Sequence, residues 1–357
     1  MKKYFYLLLI LVSFLSLNSC KKDTDTPPPI PLEKYEGGLF IINEGNFGHG
    51  NGSITYYNPT TNVMTQDVFQ LENNRNLGDV VQSMKIIGDL GFIAVNNSNK
   101  IEVVEHNTFK EKGVINNIPS VRYIVGGYEN TAYASSWGNA DDEHGQIKVI
   151  DTKTLEVTQS IAVGNGPEAM LFTDNKLFVA NGGGLGVDNT LSIINAGTNE
   201  VIKTIEVGYS PKQFVKDQDG NIWVLCSGAG SWSSVGVKPS KLIQIDTKSL
   251  EITQEVELFA DQMPANIGID KTGLVMVIGG GYGFNGLYKV FVNNPESPQE
   301  PFINQSFYGF GIDAKSGDIY AGDAGDYTNN GRIYHFSFLG EAIGDAEVGI
   351  IPNGINQ

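Results

Sequence analysis

The sequence is poor in the residues that define several common protein classes. Only 2 of its 357 residues are cysteine, so a disulfide-stapled fold is excluded, and 18% are charged, which is low for a coiled coil or a helical bundle. The formal net charge of −16 argues against binding nucleic acid or anionic lipid through a basic face. Glycine is abundant by contrast, with 43 residues and no collagen period, which indicates a turn-rich, all-β protein.

The longest apolar run lies at the N-terminus and is too short to cross a bilayer. Two lysines precede about fourteen apolar residues, whereas a spanning helix needs roughly 20. The run ends in Leu17-Asn18-Ser19-Cys20, which resembles a bacterial lipobox. We therefore expect residues 1–19 to be a lipoprotein signal peptide and Cys20 to receive the lipid, the alternative being an ordinary secretory signal with an incidental cysteine. Residues 20–36 are polar and proline-rich and are predicted to form a flexible tether.

The remainder of the chain is a repeat. Residues 146–159 read QIKVIDTKTLEVTQ and residues 241–254 read KLIQIDTKSLEITQ, with a third copy between them. Weaker copies begin at positions 53, 100, 286 and 332, which makes seven. Within a copy, four short strands with alternating apolar residues are separated by turn signals, and four strands every ~40–50 residues are typical of a propeller blade.

The two ends of the chain complement each other. Residues 348–354 match the start of an innermost strand, as at 163–169, and the chain then stops without a second strand. Residues 38–43 match that missing second strand. We therefore predict that residues 37–357 form a seven-bladed β-propeller whose last blade is closed by pairing of N- and C-terminal strands. A β-sandwich with coincidental repeats would not explain the complementary ends.

The loops between the second and third strands of each copy form the candidate binding face. They are long, unequal and rich in glycine, asparagine and aromatic residues, whereas the other turns are short and stereotyped. Aromatic side chains on loops held by a rigid scaffold mark recognition more often than stability, although each can also pack back over its blade. The ligand-binding residues expected from position are six aromatic and four amide or acidic ones: Phe47, Trp137, Trp232, Tyr282, Phe284 and Tyr327, with Asn46, Asn139, Asn181 and Asp323.

A catalytic or metal-binding constellation cannot be assembled from these loops. The sequence has no HExxH, GxSxG, CxxC or GxxxxGK[ST] motif. His49 and His144 belong to different blades, and the consecutive polar side chains of 141–144 favour a solvated loop over a cation site. We therefore predict a binding protein with no enzymatic activity, metal or cofactor. The alternatives are a surface lectin, adhesin or protein-interaction propeller, and a metal-dependent hydrolase or lactonase.

The chain also resembles known propellers. Residues 176–208 are similar to the YVTN-type repeat of YncE-like seven-bladed propellers. More specific segments, at 43–47, 77–84, 96–98, 107–110 and 348–352, resemble the lipid-anchored surface propellers of gut-type Gram-negative bacteria that include the cobalamin-binding BtuG family.

That resemblance implies a lipoprotein exposed at the outer membrane and attached to the membrane only by its lipid. Its implied role is to capture cobalamin or another corrinoid and pass it to a TonB-dependent outer-membrane transporter. Corrinoids are large discs fringed with amides, and a bowl of asparagine, backbone and aromatic groups suits such a ligand. Of the candidate residues, Asn46 and Phe47 lie inside a segment that matches the family.

Overall fold

The structure, a computed structural model, describes residues 34–139, 142 and 144–356. The predicted signal peptide, Cys20 and the predicted tether as far as residue 33 lie outside the described residues. In the part of the chain that the structure describes, no helix has the length and apolar character needed to cross a membrane.

Antiparallel strands make up most of the described chain. The N-terminal half contains β1 (Leu39–Asn43), β2 (Ser53–Asn58), β3 (Val63–Thr65), β4 (Val81–Ile87), β5 (Leu90–Val95), β6 (Lys100–Glu105), β7 (Glu111–Asn116), β8 (Val121–Gly126), β9 (Thr131–Ser136), β10 (Gln146–Asp151), β11 (Glu156–Ala162), β12 (Pro167–Thr173) and β13 (Lys176–Asn181). One short helix, α1 (Val68–Asn73), follows β3, and a single turn of 3-10 helix at Asn96–Ser98 follows β5.

The C-terminal half continues the same pattern. Its strands are β14 (Thr190–Asn195), β15 (Glu200–Glu206), β16 (Pro211–Lys216), β17 (Ile222–Cys226), β18 (Lys241–Ile245), β19 (Ile252–Glu257), β20 (Asn266–Ile269), β21 (Val275–Gly279), β22 (Leu287–Phe291), β23 (Gly309–Ile312), β24 (Ile319–Asp323), β25 (Asn330–Phe336), β26 (Ala342–Ile350) and β27 (Pro352–Asn356).

These strands form seven separate sheets, which we number as blades. Blades 1 to 4 are β4–β7, β8–β11, β12–β15 and β16–β19; blade 5 is β20–β22; blade 6 is β23–β26; and blade 7 contains β27, β1, β2 and β3. The innermost strands contact one another in the cyclic order β4, β8, β12, β16, β20, β23, β27 and back to β4. The predicted all-β, seven-bladed propeller is therefore confirmed.

The ring closes through blade 7, as the complementary ends predict. The C-terminal strand β27 pairs antiparallel with β1, with Phe40 opposite Asn356 and Ile41 opposite Ile355. Because β27 is the innermost strand of a sheet whose other strands come from the N-terminus, the two ends of the propeller are joined by backbone hydrogen bonds. Closure in this way also covers the sheet faces that the two end blades of an open row would expose.

The core lies between the blades. Both faces of each sheet pack against neighbouring blades, so the second strands are buried along almost their whole length, as in β1, β13 and β17. Trp223 is fully buried in β17, and its indole N–H donates to the carboxylate of Asp217 at 3.0 Å. Cys226 is buried in the same strand. Trp223 and Cys226 are therefore core residues of blade 4.

Two details differ from the sequence expectation. Blade 5 has three strands instead of four, and the proline-containing chain at 292–306 follows its outermost strand. The folded chain also begins before residue 37, because Tyr35 is buried, its ring lies 5.1 Å from that of Tyr56, and its hydroxyl donates to Glu72 at 2.7 Å. Residues 34–36, predicted as the end of the tether, therefore belong to the propeller.

Candidate ligand-binding site

The loops that join second to third strands lie at one end of the sheets, and we call this end the loop-rich face. Since neighbouring strands are antiparallel, each innermost strand starts at the same face. A cavity of about 620 Å³ opens there on the axis of the ring. Its lining includes Phe47 of the β1–β2 loop, Tyr282 of the β21–β22 loop and the first residues of the innermost strands. This axial pocket has the size of an ordinary small-molecule site.

Backbone irregularities at the starts of four innermost strands shape the pocket wall. The pairing of each strand with its neighbour shifts register within its first residues, which marks a β-bulge in blades 1, 2, 3 and 4. A bulge changes the direction in which a side chain points, and bulges are frequent beside binding sites. The polar residues at these bulges, here called the bulge quartet, are Gln82, Arg122, Glu168 and Lys212, and all four line the pocket.

The bulge quartet is held together by its charges. Glu168 is only 1% exposed and accepts hydrogen bonds from Arg122 Nε at 3.0 Å and from Lys212 Nζ at 2.8 Å. Arg122 also donates to the side-chain carbonyl of Gln82. Burial by itself would raise the pKa of Glu168, but Arg122 and Lys212 together outweigh burial and hold that pKa below its usual value. The result is a cation–anion–cation row across three neighbouring blades.

Arg122 is fixed from a second side by Trp137. The guanidinium carbon lies 4.4 Å from the centre of the indole ring, within the range of a cation–π contact. Burial alone would lower the pKa of Arg122, and the charge of Glu168 raises it. The indole nitrogen of Trp137 is buried and has no hydrogen-bond partner among the described residues. Trp137 was predicted as a ligand contact, and the structure places it as a support for Arg122.

A further, partly buried carboxyl group of the pocket lining belongs to blade 7. Glu44, just after β1, accepts from Asn353 Nδ2 at 2.9 Å and from the hydroxyl of Tyr308 at 3.2 Å. Burial raises the pKa of Glu44, although Asn353, Arg122 and Tyr308 each act in the opposite direction. The pocket lining therefore carries the charged row in blades 2 to 4 and a separate carboxyl group in blade 7.

Two exposed aromatic side chains line the mouth of the pocket, and a third, partly buried ring packs against one of them. Phe47 is 76% exposed and Tyr282 is 83% exposed, and both line the opening. The ring of Tyr327 lies 5.7 Å from that of Tyr282 and 5.7 Å from that of Tyr308. We call Phe47, Tyr282 and Tyr327 the aromatic rim. Exposed rings collected at the mouth of a polar cavity favour recognition of a ligand.

Four further predicted residues lie on the loop-rich face without lining the pocket. Asn46 ties two loops together, since its side-chain amide donates to the carbonyl of Tyr327 at 2.7 Å. Asp323 accepts from the backbone N–H of Gly325 at 2.8 Å, and the backbone N–H of Asn139 bonds to Asp142. Trp232 is exposed on the β17–β18 loop. Asn46, Asn139 and Asp323 thus shape their loops.

Two of the predicted contact residues are buried. Asn181 is fully buried at the end of β13, where its amide donates to Thr190 Oγ1 at 2.9 Å and to Ser192 Oγ at 3.0 Å. Phe284 is buried, and its ring packs edge-on against Phe259 at 5.4 Å. In this structure each side chain completes the packing at the end of its blade.

The bulge quartet was missed by sequence reasoning, although a signal for it is present. Each member is the second residue of its innermost strand, after Val81, Val121, Pro167 or Pro211. Aligning the copies on that strand places a polar or charged residue at the same position four times in succession. Residues at one position of successive blades must line the axis together, so this alignment identifies the pocket wall.

The loop at 141–144 is the part of the loop-rich face that was weighed as a cation site from its sequence. Of the loop at 141–144, Asp141 and Glu143 lie outside the described residues. Within the described ranges, no three or more His, Cys, Asp or Glu side chains are grouped so that they could hold a metal ion.

The fold is shared with several solved structures at low sequence identity. A Quinonprotein alcohol dehydrogenase-like protein from Bacteroides thetaiotaomicron has 16% identity and a TM-score of 0.65, over 90% of this chain and 78% of that one. A protein from Bacteroides fragilis, provisionally named a 6-phosphogluconolactonase, has 12% identity and a TM-score of 0.64, over 90% and 98%. Hydrazine synthase from Kuenenia stuttgartiensis has 14% identity and a TM-score of 0.57, over 78% and 92%.

Identities this low show a common propeller fold and nothing finer. No curated protein matches the sequence. One family model does match, over residues 37–350, which is nearly the whole propeller. The chain therefore belongs to the family described as Domain of unknown function (DUF5074).

Proposed function

We propose that the chain is a ligand-binding propeller that captures a corrinoid at the axial pocket without transforming it. The observation that carries this proposal is that two rings of the aromatic rim, Phe47 and Tyr282, are exposed at the mouth of a pocket lined by amides and paired charges. Leaving two large rings more than three-quarters exposed at one opening gives the folded chain little stability of its own. A flat ligand that covers those rings would remove their apolar surface from water, which favours binding.

The dimensions of the site suit a ligand that lies across the rim. A corrinoid is too large to be enclosed in a cavity of about 620 Å³, so its disc would rest on Phe47 and Tyr282. Its peripheral amides would then reach the side chains of Gln82 and Asn353, which line the cavity. The resemblance at residues 43–47 supports the same ligand, because this segment supplies Phe47.

The chain enters the propeller from the end opposite the axial pocket. The backbone N–H of Lys34 donates to the carbonyl of Asn107, in the turn between β6 and β7, and turns between third and fourth strands lie at that opposite end. A tether that precedes residue 34 would therefore leave the propeller at the end away from the axial pocket. We propose that the loop-rich face presents the ligand to a TonB-dependent transporter of the outer membrane.

Calorimetric titration of the purified full chain with cyanocobalamin tests this proposal. We expect one-to-one binding with a dissociation constant of about 1 μM or lower, which is about 8 kcal/mol. Phe47→Ala and Tyr282→Ala are each expected to weaken binding about tenfold, since each removes a ring contact of roughly 1.4 kcal/mol. Phe291→Ala is the matched control, because Phe291 is also an exposed phenylalanine but lies in the outermost strand of blade 5.

Each outcome bears on a different part of the proposal. An absence of heat and of any visible-absorbance change would overturn the corrinoid assignment, and a glycan array would then be the next measurement. Binding that is unchanged in both rim variants would place the ligand elsewhere on the chain. Slow conversion of the bound corrinoid, followed by its absorbance spectrum over hours, would contradict capture without chemistry.

A further inference from the structure

We propose that Arg122 and Lys212 form an anion subsite in the axial pocket, which takes a phosphate or carboxylate group of the ligand. The inference deepens the proposed function, on which it rests for the location of the ligand. The anion subsite is inferred from the hydrogen-bond capacity of the bulge quartet, whereas the proposed function is inferred from the aromatic rim.

The two cations have more donors than the protein uses. Arg122 donates through Nε to Glu168 and through Nη1 to Gln82, and among the described residues its Nη2 has no partner. Lys212 donates one hydrogen bond, to Glu168, and the other two N–H groups of its ammonium have no partner among the described residues. The side chains of Arg122 and Lys212 are 17% and 31% exposed and both line the pocket, so these donors are within reach of a ligand there. A ligand oxyanion would satisfy these donors.

Glu168 fixes the distance between the cations without competing for a ligand. Its two oxygens each accept from one cation, and the carboxylate is almost fully buried between them. Trp137 holds the guanidinium of Arg122 from the side. Both cations are therefore placed before a ligand arrives, so little side-chain entropy remains to be lost on binding. Two preplaced N–H donors on neighbouring groups suit the paired oxygens of a phosphate or a carboxylate.

The charge of this wall stands out against the rest of the chain. The formal net charge of the chain is −16, whereas the row of Arg122, Glu168 and Lys212 carries one net positive charge. Glu44 also lines the pocket, where Asn353 and Tyr308 donate to its carboxyl group, and its charge and that of Arg122 act on each other. The cationic donors that favour an anion in the pocket are therefore those of Arg122 and Lys212, and they orient the ligand.

Titration of the purified full chain with inorganic phosphate and, separately, with acetate tests the subsite, at constant ionic strength maintained with chloride. The fluorescence of tryptophan reports binding, because Trp137 contacts Arg122. We expect saturable binding of at least one anion with a dissociation constant on the order of 1 mM. Tighter binding of phosphate would identify a phosphate group as the ligand's anion, and tighter binding of acetate would identify a carboxylate.

Variants at Lys212 separate the subsite from non-specific effects. Lys212→Gln is expected to weaken anion binding at least fivefold, and Lys212→Arg is expected to retain it, since the positive charge is preserved. Lys216→Gln is the matched control, because Lys216 lies at the far end of the same strand, where it donates to Thr173. Thermal unfolding of each variant first establishes that it is folded.

The result distinguishes failure of the subsite from failure of the proposed function. Equal anion binding by the wild type and by a folded Lys212→Gln variant would overturn the subsite, as would no binding of either anion by the wild type. Cyanocobalamin is titrated in parallel. A chain that binds phosphate but not cyanocobalamin keeps the subsite and loses the corrinoid assignment, and the reverse result keeps the corrinoid assignment alone.

Discussion

Replacing Glu168 with glutamine tests how the pocket wall is held together. The substitution keeps the shape of the side chain and removes the charge between Arg122 and Lys212. Glutamine retains one carbonyl oxygen, which still accepts a hydrogen bond from one of the two cations. Because this oxygen is uncharged, that hydrogen bond is weaker. The other cation then faces an N–H group. The structure therefore predicts a loss of stability, because two cations remain in the wall without their shared anion.

The expected cost follows from the exposure of the three side chains. Removing one partner of a fully buried ion pair costs about 3–5 kcal/mol, since the remaining charge stays desolvated. The side chains of Arg122 and Lys212 are 17% and 31% exposed, so water reaches both cations and recovers part of that cost. The hydrogen bond that persists recovers a further part. We expect the free energy of unfolding to fall by roughly 2–3 kcal/mol.

Urea denaturation of the wild type and the Glu168→Gln variant measures this difference. The matched control is Glu251→Gln, because Glu251 also pairs with a lysine, Lys203, at 2.7 Å, but its side chain is 71% exposed. A surface pair of this kind contributes about 0–1 kcal/mol, so the control should change little. If Glu168→Gln costs no more than Glu251→Gln, the account of the bulge quartet as a preorganised charged row is refuted.

The pH dependence of the same difference gives an independent check. The folded-state pKa of Glu168 lies below that of the unfolded chain, because Arg122 and Lys212 outweigh the effect of burial. A depressed acid pKa contributes stability that is fully present above the unfolded value of about 4.3 and disappears as the pH falls through the folded value. The gap between wild type and Glu168→Gln should therefore be constant at neutral pH and shrink below about pH 4.

Three further predictions concern the scaffold. Burial raises the pKa of Cys226 to about 12, so its thiol should not react with a thiol reagent at pH 8 until urea unfolds the chain. Gly309→Ala should lower the free energy of unfolding, measured by urea denaturation, by more than about 2 kcal/mol, because a Cβ there would lie 1.9 Å from a backbone oxygen of blade 7. Gly354→Ala is the control and should leave that free energy unchanged, because a Cβ at Gly354 meets no atom within 4 Å. Tyr35→Ala should lower the free energy of unfolding by about 3–5 kcal/mol, and Tyr128→Ala, at an exposed ring, by much less. A difference of that size would refute the prediction that the tether extends to residue 36.

Much of the fold follows from the sequence because short, local sequence patterns specify each strand and turn of the repeat. Alternating apolar residues specify strands, turn residues separate them, and the same order recurs seven times. The two ends of the chain indicate closure of the ring, because residues 348–354 provide an innermost strand and residues 38–43 provide the second strand that it lacks. The exception is blade 5, where the fourth strand is absent although the copy at 286 resembles the others.

The candidate site was only partly accessible from the sequence. Phe47 and Tyr282 lie at the pocket mouth as their loop positions predicted, because an exposed loop tip needs no partner to define it. Asn181 and Phe284 carried the same signal but are buried. The depth of a side chain depends on how neighbouring strands and loops cover it, and that cover is contributed by other parts of the chain.

The sequence by itself determined the number of blades, the order of the strands and the face that bears the long loops. Only the tertiary structure brought the pocket wall together. Arg122 and Glu168 are 46 residues apart, Glu168 and Lys212 are 44 apart, and Glu44 and Asn353 are 309 apart. Each residue is unremarkable within its own strand. Closing the ring places equivalent strand starts around one axis, and the bulges turn their side chains inward, so the charged wall arises from symmetry and contact between blades.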